Sequence, residues 1–149
     1  MPMTTSVELK SHPFLVVAED DLDDQLLIRD ALVDNGMSVS DIIFVNDGDE
    51  LLQILPSLQP CPVVIMLDLN MPKMDGREAL QEIKKNDRFK HIPVIIFTTS
   101  SADEDVKMTY ESGGNTFFTK PALYEELVEV TGLILSYWFG KAEFCSVKT

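Results

Sequence analysis

Five short apolar runs set the limits on what this chain can become: Phe14 to Ala18, Ile42 to Asn46, Val63 to Leu67, Val94 to Phe97 and Thr116 to Thr119. Such continuous runs read as strands covered on both faces, the condition of parallel sheets in α/β proteins. The segments between them carry helical periodicity, and helices crossing from strand to strand supply the two covers.

Local stop signals agree with that alternation. Gly36 is placed as the C′ residue of the first helix, and the second follows Asp47-Gly48 and ends near Pro56. Asp75 can cap the third helix while Glu78 reaches back in a capping box, and Ser101 with Glu104 repeats the pattern before the fourth. The fourth ends at Gly113-Gly114, and its weakly amphipathic interior, with Thr109 among scattered apolar residues, predicts a marginal, movable element. Together these predict a flavodoxin-like doubly wound (βα)5 fold, a five-stranded parallel sheet in the order 2-1-3-4-5 with helices on both faces. Residues 1–12 read as a flexible segment, 13–139 as the single domain and 140–149 as a tail, with no linker to an output domain.

A chain of 149 residues with 45% hydrophobic and 25% charged composition can bury a full core. Its formal net charge of -13 repels phosphate backbones, so direct DNA binding is not expected. Cys61 and Cys145 are too few and too irregularly placed for a disulfide framework or a zinc site, and read as thiols of a reducing compartment. Met1 to His12 has no apolar core of a secretory signal. The apolar runs reach about five residues, against the ~20 that cross a bilayer. A cytoplasmic protein without membrane contact is predicted.

Open α/β sheets keep their chemistry at the C-terminal ends of their strands. Glu19, Asp20 and Asp21 follow the first run. Asp68 closes the third and opens Asp68-Leu69-Asn70-Met71-Pro72-Lys73-Met74-Asp75-Gly76. Thr98, Thr99 and Ser100 follow the fourth, and Lys120-Pro121 the fifth. Carboxylates gathered this closely raise one another's pKa unless a hard divalent cation favours their ionised forms. Asp21, Asp23 and Asp24 are read instead as charges favouring the N-terminus of the first helix through its dipole.

Those residues, in that order and at those separations, resemble the receiver domain of two-component response regulators, over Phe14 to Tyr137. The resemblance implies Asp68 as phosphoacceptor, Glu19 and Asp20 as the acidic pair, Thr98 as switch hydroxyl, Lys120 as phosphate-binding lysine and Phe117 as switch aromatic. Phe117 stands where the family often has Tyr, so a hydrogen bond from that side chain is unavailable. Thr99 stands where Ala, Gly or Ser is usual, and with Asn70 and Ser100 it is expected to modulate the site. The Lys-Pro bond is typically cis in the family. His12 and His91 are expected on the surface.

Magnesium, with Mn2+ able to substitute, suits such a site because it accepts a few carboxylates with waters and phosphate oxygens. Asp20, Asp68 and the Asn70 backbone oxygen are the predicted ligands, with Glu19 acting through water. The resemblance implies a single-domain signalling protein that takes a phosphoryl group from a phosphohistidine, on a sensor histidine kinase or phosphotransfer protein. Asp68 attacks as a carboxylate nucleophile, and Lys120 and the cation position and neutralise the group. A downstream protein target reads the result, and the only chemistry catalysed is the protein's own aspartyl phosphorylation and dephosphorylation. The ending Tyr137-Trp138-Phe139 resembles stand-alone regulators serving bacterial phytochrome-type kinases.

Other classes fit less well. A haloacid-dehalogenase-type magnesium phosphatase wants a second acid two positions beyond the strand-end Asp, where this chain has Asn70. A flavodoxin-like electron carrier would meet flavin phosphate with Glu19-Asp20-Asp21. A phosphorylation-independent binding module would have no use for the intact acidic set. The last helix shows two apolar stripes: Leu123, Leu127, Val130, Ile134, Tyr137 and Trp138 toward the sheet, and Tyr124, Val128, Leu135 and Phe139 beside them. The second stripe predicts a homodimer through the fourth helix, fifth strand and fifth helix, unless Ala142, Phe144 and Val147 fold back over it.

Overall fold

The computed structural model describes residues 12–143 together with the short strand Glu8–Leu9. Along the chain the elements run β1 (Glu8–Leu9), β2 (Leu15–Ala18), α1 (Leu22–Asp34), β3 (Ile42–Val45), α2 (Gly48–Ile54), β4 (Leu58–Gln59), β5 (Val64–Leu67), α3 (Gly76–Lys85), β6 (Val94–Thr98), α4 (Asp103–Glu111), β7 (Thr116–Thr119) and α5 (Tyr124–Trp138). Five of the strands pair in parallel in the spatial order β3-β2-β5-β6-β7. Counted along the chain, that is the predicted 2-1-3-4-5. β1 pairs with β4 in a separate parallel ribbon, which the flexible reading of residues 1–12 did not foresee; residues 1–7, 10 and 11 lie outside the described residues.

Alternation along the three central strands, β2, β5 and β6, explains why those runs had to be apolar. Leu15, Val17, Val64, Met66, Ile95 and Phe97 pack with Ile28, Ala31 and Leu32 of α1 and with Leu127 and Ile134 of α5. Val16, Ala18, Ile65, Leu67, Val94 and Ile96 pack on the other face with Leu51 of α2 and with Ala79, Leu80 and Ile83 of α3. Each large apolar side chain buried this way contributes about 1.5–3 kcal/mol.

Two helices differ from their sequence reading. The Ser101–Glu104 capping box does not form: α4 starts after Ala102, which offers no side-chain cap, and the Ser100 hydroxyl accepts from the Ala102 N–H instead. The fully buried residues of α4 are polar, Asp105 and Thr109, with Met108 half-buried against the core.

On α5 the buried line is Leu127, Thr131 and Ile134. Leu123 and Tyr137, expected in the core, are exposed, while Val128, Leu135 and Phe139, expected at a dimer surface, are half-buried against the α1 side of the core. Thr131 decides the rotation. Its hydroxyl donates to the Leu127 carbonyl and accepts from Asn35 Nδ2, so a polar residue sits satisfied at the centre of the packed face. Tyr124 is exposed and donates to Asp34 of α1. Phe144 and Val147, the alternative cover, lie outside the described residues.

His91 is half-buried rather than on the surface, and burial lowers its pKa. Among the described residues the cis peptide bond is Gln59–Pro60. Lys120–Pro121, expected cis, is trans.

Candidate functional site

Four strand ends meet at one edge of the sheet. Glu19 follows β2, Asp68 follows β5, Thr98 ends β6 and Lys120 follows β7. Lys120 Nζ donates to Glu19 Oε1, to Asp24 Oδ2 at 2.9 Å and to Asp68 Oδ2 at 3.0 Å. An ammonium has three N–H groups, so all are engaged. The other oxygen of Asp68 accepts from the Asn70 backbone N–H at 3.1 Å, and Glu19 Oε2 accepts from that of Asp21 at 3.1 Å. The trans Lys120–Pro121 bond thus does not prevent the lysine from reaching inward.

Burial sets the electrostatics. Glu19 is 2% exposed, and desolvation pushes its carboxyl up to about 7 despite Lys120 and the Asp21 N–H, with the Asp68 charge adding to the rise. Burial works against the Lys120 ammonium too, but its bonds to Glu19 and Asp24 and the nearby Asp68 charge win, holding its pKa above the usual lysine value. Asp20 is exposed. One carboxylate oxygen from each of Glu19, Asp20 and Asp68 falls within 4.8 Å of the others, an all-oxygen donor set of the kind hard divalent cations take.

Backbone packing holds the acceptor in place. Gly76, at the start of α3, donates its N–H to the Leu69 carbonyl at 2.9 Å, and a Cβ there would lie 2.1 Å from the Asp68 carbonyl oxygen. Only glycine lets the helix start this close to the acceptor loop.

Thr98 is fully buried; its hydroxyl accepts from the Ser100 N–H at 3.4 Å and its carbonyl from the Lys120 N–H at 2.7 Å, tying the ends of β6 and β7 together. Phe117 is half-buried against the core rather than among the carboxylates, and its N–H donates to the Tyr110 hydroxyl at 3.1 Å. Thr99 and Asn70 are exposed. Ser100 donates to Asp105 at 2.6 Å.

The sequence reading missed Asp24 and Asp105. Asp24 sits in the first turn of α1, which starts directly after the acidic strand end, and that position was the available signal. Asp105 is bound by Arg77, 28 positions away, for which local sequence holds no cue.

A model of the response regulator receiver domain matches residues 15–131. The chain belongs to that family. The receiver is 35% identical over 129 residues to response regulator Rcp1 of Synechocystis sp., a match covering 83% of this chain and 87% of that protein. Its fold matches the phosphorylated cyanobacterial phytochrome response regulator RcpA with a TM-score of 0.83 at 33% identity, over 91% of this chain and 100% of that one. The Mn2+-bound form of Rcp1 matches with a TM-score of 0.80 at 32% identity, over 90% and 99%. The receiver therefore serves phosphorylation-dependent signalling with histidine kinases or phosphotransfer partners, and the family match favours that reading over hydrolase or flavin chemistry. Among the described residues no helix is long and apolar enough to cross a membrane.

Proposed function

We propose that this receiver is phosphorylated on Asp68 and that the modification alters the surface formed by α4, β7 and α5. The observation that carries the reading is the Lys120 ammonium, held between Asp68 and Glu19 where a phosphoryl group on Asp68 would need a positive charge. An oxygen of Asp68 forms the new bond to phosphorus as the P–N bond of a donor phosphohistidine breaks, its electron pair passing to the imidazole. Asp20, Asp68 and the Asn70 carbonyl, with Glu19 through water, would hold Mg2+ or Mn2+, which when bound neutralises the charge of the phosphoryl oxygens. Lys120 supplies the fixed cation of the chain itself.

Thr98 then donates its hydroxyl to a phosphoryl oxygen. That draws the β6–α4 loop inward and pulls on Ser100, which is bonded to Asp105 of α4. Phe117, lacking a hydroxyl, follows by packing alone. Asn70 and Thr99, exposed beside the acceptor, regulate access to it. The donor is a cytoplasmic sensor kinase of the bacterial phytochrome type or a phosphotransfer protein, and a downstream protein or a second copy of the receiver reads the altered surface.

The test is labelling with acetyl phosphate and magnesium, mapped by mass spectrometry. Wild type should carry one phosphoryl group on Asp68 and Asp68→Asn none; label at another residue would sink the assignment.

A further inference from the structure

Lys120 is bound by one carboxylate more than the acceptor and the buried acidic residue supply. Its three N–H groups go to Glu19, Asp24 and Asp68. The side chains of Glu19 and Asp68 are 2% and 7% exposed, whereas that of Asp24, in the first turn of α1, is 37% exposed. The Asp24 backbone is fixed in place by the helix cap, its N–H donating to Asp21 Oδ1 at 3.1 Å.

A phosphoryl group on Asp68 lies beyond the carboxylate oxygen that Lys120 now serves, so the N–H given to Asp68 has to turn to it and the ammonium has to shift outward. That shift strains the bonds to Glu19 and Asp24, and one of them yields. Releasing Glu19 would leave a sealed acceptor unpaired, which is costly, while Asp24 is open enough for water to replace the lysine. We propose that Asp24 is a positioning residue that parks the Lys120 ammonium toward α1 in the resting protein and yields it to the phosphoryl group. This rests on Asp68 being the acceptor. A contact made in the ground state and lost in the transition state raises the barrier, so Asp24 slows phosphoryl capture.

Asp23 provides the control, because it shares the first turn of α1 and its negative charge. The experiment measures the rate of Asp68 labelling by acetyl phosphate with magnesium in wild type, Asp24→Asn, Asp23→Asn and Asp24→Glu, each confirmed folded by circular dichroism. In the labelling step an oxygen of Asp68 bonds to phosphorus, the bond from phosphorus to the acetyl oxygen breaks and acetate leaves. A partly exposed ion pair implies a change of about two- to fivefold. Asp24→Asn should be faster than wild type by that factor, with Asp23→Asn unchanged. Asp24→Glu, which keeps the carboxylate, should fall back toward the wild-type rate.

Equal acceleration in Asp23→Asn would assign the effect to net charge and overturn the proposal. A rate for Asp24→Asn equal to or below wild type would overturn it as well, with the acceptor assignment left standing. Absence of label on Asp68 in wild type would remove the acceptor, and the role of Asp24 with it.

Discussion

Arg77 and Asp105 form a bidentate ion pair that joins the start of α3 to α4, with Nε and Nη2 of the guanidinium 2.7 and 2.8 Å from the two carboxylate oxygens. The same carboxylate accepts the Ser100 hydroxyl at 2.6 Å. One side chain therefore fastens α4 to the helix beneath the acceptor and to the loop that follows Thr98. The planar guanidinium fork matches a carboxylate in a way lysine could not.

Breaking this pair should loosen α4. The Asp105 side chain is 11% exposed, so Asp105→Asn should destabilise the fold by roughly 1–3 kcal/mol, read by urea denaturation, with Ser100→Ala costing less. The Arg77 and Ser100 hydrogen bonds hold the Asp105 carboxyl down at about 2, against an ordinary 3.8. Its folded-state pKa is depressed, so its contribution is complete above the ordinary value and fades as pH falls through about 2. The pH profile of Asp105→Asn should lack that acid decline. A variant as stable as wild type at neutral pH would show that α4 is held elsewhere.

Glu19 should give the opposite pH dependence in metal-free buffer. Its folded pKa lies near 7, above the ordinary 4.5, so in that window the folded state binds more protons than the unfolded one. Stability should fall as pH rises from about 4.5 to 7 and then level off. Glu19→Gln should flatten the decline. Magnesium should raise the wild-type melting temperature at pH 7.5, since it binds the folded carboxylate cluster, and Asp20→Asn should reduce that gain. Identical melting curves with and without saturating magnesium would contradict the cation site.

Thr98→Ala separates chemistry from signalling. Asp68 should still accept phosphate, because Lys120 and the acidic residues are untouched, while partner binding should lose several-fold of its dependence on phosphorylation, in line with typical coupling of ~1–3 kcal/mol. Isothermal titration of the phosphorylated and unphosphorylated forms measures it. A variant that discriminates as wild type does would leave Thr98 a structural residue.

Self-association should follow the apolar residues that the fold leaves outside. Leu133 and Tyr137 are 58% and 57% exposed and line a cleft with Phe118 and Trp138 beside the edge strand β7. In light scattering at micromolar concentration, Leu133→Asp with Tyr137→Asp should abolish a phosphorylation-sensitive dimer and leave the melting temperature near wild type. Val128→Asp should instead lower stability, because Val128 packs against the core. A wild type that is monomeric with and without phosphorylation would remove the dimer.

The sequence by itself determined the sheet and the ends of its strands, because a parallel strand covered on both faces has to be apolar at every position and the next polar residue marks where it stops. Asp68 and Thr98 were legible as strand ends for that reason, while Lys120, after the half-buried edge strand β7, was placed by resemblance. Tertiary structure decided what depends on contacts between distant segments. The turn of α5 about its axis rests on Thr131 meeting Asn35, 96 positions away, which outweighed a projection based on apolar residues alone. The partners of Asp24 and Asp105 were hidden for the same reason: one acid among several in a first turn looks like a dipole charge until the fold brings Lys120 or Arg77 to it. Local pattern carries burial, but a hydrogen bond between remote polar groups leaves no period in the sequence.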